Sequence, residues 1–213
     1  YQAVWQAQQR LKAILDQWAR GGKKGLCPVP DEPLPPIGTL GFRVQRYGML
    51  QWGDLFTARQ KVALVTLARL AQQFTAEAQR THRKDHIGEA LRAAMGLLIG
   101  KGADGNSCLS RWMAGYENPV NCFSRQALPI VWDFCESGIT SESRGVFLSS
   151  VGDATDVITA SCSTRTGHVQ QADATQHPLP NETAQVWFTD PPYYDAVPYA
   201  DLSDFFVVWL KRA

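Results

Sequence analysis

The feature that most constrains this chain is a change in hydrophobic periodicity near residue 140. Before that point, apolar residues recur every three or four positions, which is typical of amphipathic helices. After it, Ser, Thr and Gly become common, and short apolar runs at 157–161, 167–170 and 185–188 predict strands. A helical pattern returns at 199–212. We therefore predict a mainly helical region over residues 1–140 and a strand-containing region over residues 141–213.

The helical region is divided by glycine and proline. Helices are predicted at 4–18, after a capping box formed by Thr57 and Gln60, and at 84–100, 107–114 and 126–135. Residues 27–38 hold five prolines, which predicts an extended connector on the surface because proline fixes φ and lacks an N–H. Residues 100–105 match Gly-x-Gly-x-x-Gly, but they follow a helix rather than a strand. We therefore predict a loop there and not a dinucleotide site.

Composition excludes several classes of protein. The chain has 213 residues, of which 45% are hydrophobic and 19% are charged, as in a folded globular protein. A net charge of +1 excludes a strongly basic nucleic-acid coat but permits a local basic groove. Five cysteines without Cys-x-x-Cys spacing predict free thiols, no metal site and a reducing cytoplasm. No apolar run approaches the ~18 residues of a membrane span.

The stretch at 186–195 carries the chemistry. A predicted apolar strand runs into Asp190, then into Pro191 and Pro192, then into an aromatic pair. In open α/β sheets, ligands lie at the carboxyl ends of strands, so an acid there is well placed for catalysis. The two prolines stiffen the turn and lack N–H groups of their own. An Asp at such a position is otherwise a turn or helix-capping residue.

Asp190-Pro191-Pro192-Tyr193 matches the catalytic motif of the amino-group DNA methyltransferases. Its surroundings, at 189 and 194–206, resemble the adenine-specific DNA methylases that carry a zinc ribbon, which are large bacterial and archaeal proteins. Other segments that resemble this family lie at 47–49, 52–57, 108–112 and 125–134. The resemblance runs from about residue 30 to the end and implies that the chain is an internal fragment of such a protein.

The resemblance also implies roles for residues. Asp190 and the Pro191 carbonyl would accept hydrogen bonds from the exocyclic amine, and Tyr193 would stack on a base flipped out of double-stranded DNA. Asp173 would bind the adenine end of S-adenosylmethionine, although an Asp opening a surface loop fits the same pattern. Substrate contact, or equally loop packing, is expected for Tyr194, Asp195 and Tyr199.

The family further implies part of a doubly wound α/β methyltransferase sheet, with residues 1–140 as an insertion or target-recognition part. The Gly-rich cofactor turn is absent from this sequence, so we expect it in the remainder of a parent chain and expect the fragment alone to be inactive. A bacterial or archaeal cytoplasmic enzyme of restriction-modification or phage defence would fit.

Two other functions stay open. One is a methyltransferase acting on RNA or on protein glutamine, although those relatives more often carry Asn in place of Asp190. The other is a non-catalytic helical module that docks DNA or a partner. The motif alone does not separate adenine from cytosine.

Overall fold

In the computed structural model the described residues are 1–83, 86–123, 125–141, 147–161, 167, 169–173, 175–176, 178–194 and 196–213. Helices α1 to α5 are Gln2–Arg20, Ala58–Thr81, Ile87–Gly105, Phe147–Ala160 and Tyr199–Leu210. Strands β1 and β2 are Arg111–Met113 and Asn118–Val120, and short 3-10 helices lie at Val44–Tyr47 and Trp52–Leu55.

The predicted doubly wound α/β sheet is wrong. In the described part of the chain the sheet consists of β1 and β2 alone, an antiparallel pair in which Arg111 faces Val120 and Met113 faces Asn118. The predicted strand at 157–161 is instead the end of α4 and the turn after it. Thr159 donates its hydroxyl to the carbonyl of Thr155 one turn earlier. A short run rich in β-branched residues does not by itself distinguish a strand from a helix.

The other two predicted strands are also absent from the described residues. Residues 185–188 carry no regular structure, and neither do 167, 169 and 170, while His168 lies outside the described residues. A strand requires a neighbour to accept and donate its backbone hydrogen bonds. No described segment pairs with these runs, so their apolar pattern does not produce a ladder.

Helix α1 confirms the prediction for 4–18 and ends where the glycines begin. It packs on α2 through half-buried Leu11, Ile14, Leu15 and Trp18, and none of its side chains is fully buried. Polar Gln, Lys and Arg side chains occupy its other faces. Helix α1 therefore lies on the outside of the helical body, as its amphipathic pattern requires.

The capping box at the start of α2 is confirmed. Gln60 N donates to Thr57 Oγ1 over 3.2 Å, and Thr57 N donates to Gln60 Oε1 over 2.8 Å. The Gln60 side chain is buried, and its Nε2 donates to Asn106 Oδ1 over 3.2 Å. The cap thus also ties the start of α2 to the end of α3.

Helix α3 extends past the predicted end at Gly100 and includes the whole Gly-x-Gly-x-x-Gly stretch. The predicted loop at 100–105 is therefore wrong. A Cβ on Gly100 would lie 3.2 Å from Phe206, and one on Gly96 would lie 2.9 Å from Leu210. These glycines serve close packing against α5, and that packing outweighs their poor helix propensity.

The two short helices predicted at 107–114 and 126–135 are wrong as well. Residues 107–110 form a turn that leads into the β1–β2 hairpin. The described residues of 126–135 are irregular and are held by single bonds such as Leu128 N to Gly41 O, 2.9 Å. Segments this short make few helical hydrogen bonds of their own, so tertiary contacts decide their conformation.

The proline-rich stretch has bends and a turn but no regular structure beyond an isolated bridge between Pro33 and Gln51, and it is not a surface connector. Cys27, Val29, Pro30 and Leu34 are buried. Its carbonyls accept backbone bonds from the 3-10 segment, with Gly53 N to Pro30 O at 2.8 Å. Carbonyls without neighbouring N–H donors can serve as acceptors for another segment, and this packing makes the stretch part of the core.

Helix α5 confirms the pattern at 199–212 and lies at the centre of the core. Phe205 and Trp209 are completely buried. The ring of Phe205 lies 6.2 Å from Trp52 and 5.1 Å from Phe123, and Trp209 lies 5.3 Å from Phe56, all edge to face. This geometry is the one aromatic pairs prefer. Among the described helices, none is long and apolar enough to cross a membrane.

Candidate functional site

The Asp-Pro-Pro-Tyr motif lies on an exposed, irregular segment rather than at the end of a buried strand. Phe188, two residues before the motif, is 92% exposed, and the Tyr193 ring is 68% exposed. Asp190 is also exposed. The expectation that a buried strand positions Asp190 is therefore not met, and the motif is open to an approaching molecule.

A tight turn follows the motif and leaves its acceptors free. Tyr194 N donates to Pro192 O over 3.0 Å, and Ala196 N donates to Tyr193 O over 2.9 Å. The turn places Tyr194 in the left-handed region, at φ +29°. It therefore uses the carbonyls of 192 and 193 and not the carbonyl of Pro191. Among the described residues, neither the Asp190 carboxylate nor the Pro191 carbonyl has a hydrogen-bond partner.

The predicted substrate-contacting residues lie in this turn or just after it. Tyr194 is 100% exposed, so packing does not hold its ring. Tyr199 begins α5, and its N–H donates to Val197 O over 2.9 Å. Asp195 lies outside the described residues. The structure thus brings the motif next to the start of the central helix, and the contact roles of these residues stay predictions.

Asp173 organises its own loop. Its Oδ1 accepts from the backbone N–H of Thr175 and from the Thr175 hydroxyl, each at 2.8 Å. These hydrogen bonds, first the backbone one, lower the pKa of Asp173. The side chain is fully exposed, and no hydrogen bond joins it to the motif within the described part of the chain. Its cofactor role stays a prediction.

The described residues do not form a site that fits S-adenosylmethionine. Asp173 is fully exposed and one of its two carboxylate oxygens is already bound to Thr175, and Asp190 to Tyr193 line neither the cavity of about 760 Å³ nor the cavity of about 400 Å³. No described group of three or more acidic, His or Cys side chains is placed to hold a metal ion. The arrangement can accept hydrogen bonds and stack on a ring, and those are binding functions.

A buried polar cluster at the end of α3 was missed in the sequence. The backbone N–H and the thiol of Cys122 both donate to Asp104 Oδ1 over 3.0 Å. Burial, reinforced by the charge of Asp104, raises the pKa of Cys122 well above its ordinary value. The thiol is buried and donates its hydrogen bond inside the core, so we interpret the cluster as structural. Asp104 and Cys122 are eighteen positions apart, so no local sequence pattern predicts that they pair.

Comparison with protein-family models, with curated proteins and with solved structures found no match. The family resemblance therefore depends on the quoted segments, above all on residues 190–193. The functional argument has to be made from the chemistry of those residues.

Proposed function

We propose that this chain supplies the target-base motif of an S-adenosylmethionine-dependent DNA amino-methyltransferase, with adenine as the target. The observation that carries the proposal is that the motif is exposed and its acceptor groups are not already bonded. Asp190 and the Pro191 carbonyl are two acceptors without described partners, and an exposed aromatic ring follows two residues later. This is the set of groups that an exocyclic amine on a flipped base requires.

The amine of adenine is a weak nucleophile because its lone pair is delocalised into the ring. Two acceptors that bind its two N–H groups draw the nitrogen toward tetrahedral geometry and make the lone pair available. A carboxylate and a backbone carbonyl supply these acceptors with no covalent intermediate, so catalysis would come from positioning and electrostatics. Proline at 191 and 192 suits this role, because neither residue adds an N–H that would compete.

Tyr193 would provide the stacking surface for the base. A base removed from the duplex loses its stacking neighbours, and an aromatic side chain replaces part of that energy, ~1–3 kcal/mol per base. The ring is 68% exposed without DNA, so it has an open face to offer. Tyr194 and Tyr199, which follow Tyr193 along the chain and are also exposed, would add further contacts.

The cofactor would supply the methyl group and would be held by residues other than the described ones. Asp173 could add at most one contact to it. A single hydrogen bond to a charged group contributes ~1.5–3 kcal/mol, whereas micromolar affinity needs about 8 kcal/mol. The chain by itself is therefore expected to bind S-adenosylmethionine weakly and to leave DNA unmethylated.

The test uses Asp190→Ala in the longest natural polypeptide that contains this sequence. Methyl transfer to DNA should fall ~100-fold or more, with cofactor affinity unchanged, since Asp190 would contact the amine alone. Asp204→Ala, an exposed acid on α5, is the matched control and should retain full activity. Near-normal methylation by Asp190→Ala would refute the assignment.

A second function, a non-catalytic docking module for DNA, is favoured by one observation. The aromatic core around Phe205 and Trp209 is complete without any residue of the motif segment. Under this alternative, the chain binds duplex DNA with equal affinity whether Asp190 and Tyr193 are present or replaced by Ala. In the longest natural polypeptide that contains this sequence, replacing Asp190 and Tyr193 by Ala would then leave the rate of methyl transfer unchanged.

A further inference from the structure

A groove with a positively charged rim lies between α1, α2 and the chain at 26–28 and 211–212. Its volume is about 760 Å³. Sites for small ligands typically measure ~300–1,000 Å³, so a ligand with both a ring and a charged group fits. We call this feature the basic groove.

The rim of the basic groove carries cations from three separate elements. Arg10 belongs to α1, Arg69 to α2, and Lys211 follows α5. All three side chains are exposed, and none makes a salt bridge or a side-chain hydrogen bond with another described residue. Arg212 also lines the groove, but Glu32 binds its guanidinium.

No Asp or Glu is among the described residues that line the groove. The net charge of the whole chain is only +1. The three free cations are therefore a local concentration of positive charge, and such a concavity attracts an anion more strongly than a flat surface with the same charges.

The floor of the groove is apolar and includes an aromatic ring. Ile14, Trp18, Leu26 and Val65 line it. The Trp18 Nε1 is buried and has no acceptor among the described residues. Lys23 Nζ lies 5.9 Å from the centroid of the Trp18 ring, which brings a fourth cation close to this wall.

We propose that the basic groove binds a nucleotide, with the phosphate at the cationic rim and the base against the Trp18 floor. A nucleotide has an anionic phosphate for the cationic rim, a ring for the apolar floor, and a size that suits the volume of the groove. Gln17 and Gln72 also line the groove. The Gln72 amide nitrogen already donates to the Arg212 carbonyl over 3.0 Å, so the exposed Gln17 is the amide that suits the polar edge of a base better than a hydrocarbon tail. The nucleotide is either free or part of a single strand. The site uses no residue of the Asp-Pro-Pro-Tyr motif, so it stands apart from the methyl-transfer proposal.

The experiment measures binding by the full 213-residue chain with two probes. AMP is titrated by calorimetry, and a fluorescein-labelled mixed-sequence oligodeoxynucleotide is followed by anisotropy. Arg69→Gln and Arg10→Gln should each weaken binding roughly tenfold, and each should lower the salt dependence of oligonucleotide binding by about one counterion. The matched control is Arg80→Gln, an exposed arginine on α2 that pairs with Glu77, and it should change neither quantity.

The two probes distinguish the sources of the nucleotide. Binding of AMP that depends on Arg69 indicates a free nucleotide, and binding of the oligonucleotide alone indicates a nucleotide within a strand; both support the proposal. Thermal melting of each variant establishes that it is folded, and the two groove variants on different helices do not share a folding risk. The proposal would be overturned if neither millimolar AMP nor the oligonucleotide bound to the chain. It would also be overturned if Arg80→Gln weakened binding as much as the groove variants do, or if phosphatidylglycerol vesicles bound in an Arg69-dependent way while neither nucleotide probe bound.

Discussion

Replacing Arg212 by Met should destabilise the fold strongly. The Arg212 side chain is only 4% exposed. Its Nε donates to Cys27 O over 2.7 Å, and its two terminal nitrogens bind the Glu32 carboxylate, each over 2.9 Å. Arg212 thereby fastens the end of α5 to the proline-rich stretch that packs on the core.

The size of the effect follows from what the substitution leaves behind. Removing one partner of a buried ion pair costs about 3–5 kcal/mol, because the other charge stays desolvated. Glu32 is 27% exposed, so water recovers part of this penalty, and the low end of the range applies. We therefore expect a loss of about 3 kcal/mol in the free energy of unfolding. Met is chosen because it retains the long apolar stem and avoids a large cavity.

The assay is urea unfolding followed by far-ultraviolet circular dichroism. With a slope of about 2 kcal/mol per molar urea, the midpoint should fall by about 1.5 M. The control is Arg80→Met, which removes an exposed arginine paired with Glu77 and should change stability by less than about 0.5 kcal/mol. A double-mutant cycle with Glu32→Gln should show coupling of at least ~1 kcal/mol. We call the contacts of Arg212 with Glu32 and Cys27 the Arg212 clamp. A loss below 1 kcal/mol for Arg212→Met, or additive effects in the cycle, would refute the role given to it.

Three further predictions follow from the geometry. Burial would raise the pKa of Glu32, but its hydrogen bonds and attraction to Arg212 outweigh burial and lower it. The stability from this pair should therefore be complete above the ordinary glutamate pKa of ~4.3 and should be lost as the pH falls through the lower pKa of the folded state, and Glu32→Gln should remove that part of the pH dependence of the urea midpoint. A Cβ on Gly88 would lie 2.5 Å from the Gln79 Cα, so Gly88→Ala should lower the free energy of unfolding by ~1–3 kcal/mol. A Cβ on Gly152, on exposed α4, would meet nothing within 4 Å, so Gly152→Ala should be neutral or stabilising. Equal melting temperatures of the two variants would contradict this. In the longest natural polypeptide that contains this sequence, Tyr193→Phe should retain most methyl transfer and Tyr193→Ala should lose roughly tenfold or more, and equal rates would remove the stacking role.

The parts of the fold that the sequence predicted are those fixed by neighbours along the chain. Thr57 and Gln60 of the capping box lie three positions apart, and the apolar stripe at 4–18 in α1 repeats over about four turns, so both are visible as patterns. Helix α5 was predicted for the same reason. The strands and short helices failed because each was inferred from a few residues, and tertiary contacts with distant segments determined their conformation.

The same distinction applies to the sites. Residues 190–193 are contiguous, so the sequence could suggest their chemistry, but it misplaced them at the end of a buried strand. The basic groove joins residues 10, 69 and 211, and the Arg212 clamp joins residues that are 180 positions apart. No linear pattern links such positions, because the fold alone brings them together.

The apolar residues at 186–188, just before the motif, are exposed, and this exposure bears both on stability and on the proposed function. Val186 and Phe188 are both largely exposed, although burying a side chain of either kind is worth about 1.5–3 kcal/mol. The segment therefore gives up several kcal/mol of available burial in this structure, and exposed apolar side chains close together in sequence suit a binding site. The same exposure leaves Asp190 and Tyr193 accessible to a base. Anything that covers the apolar run has energy to gain, so binding at the motif could be favourable without any further contribution from the helical body.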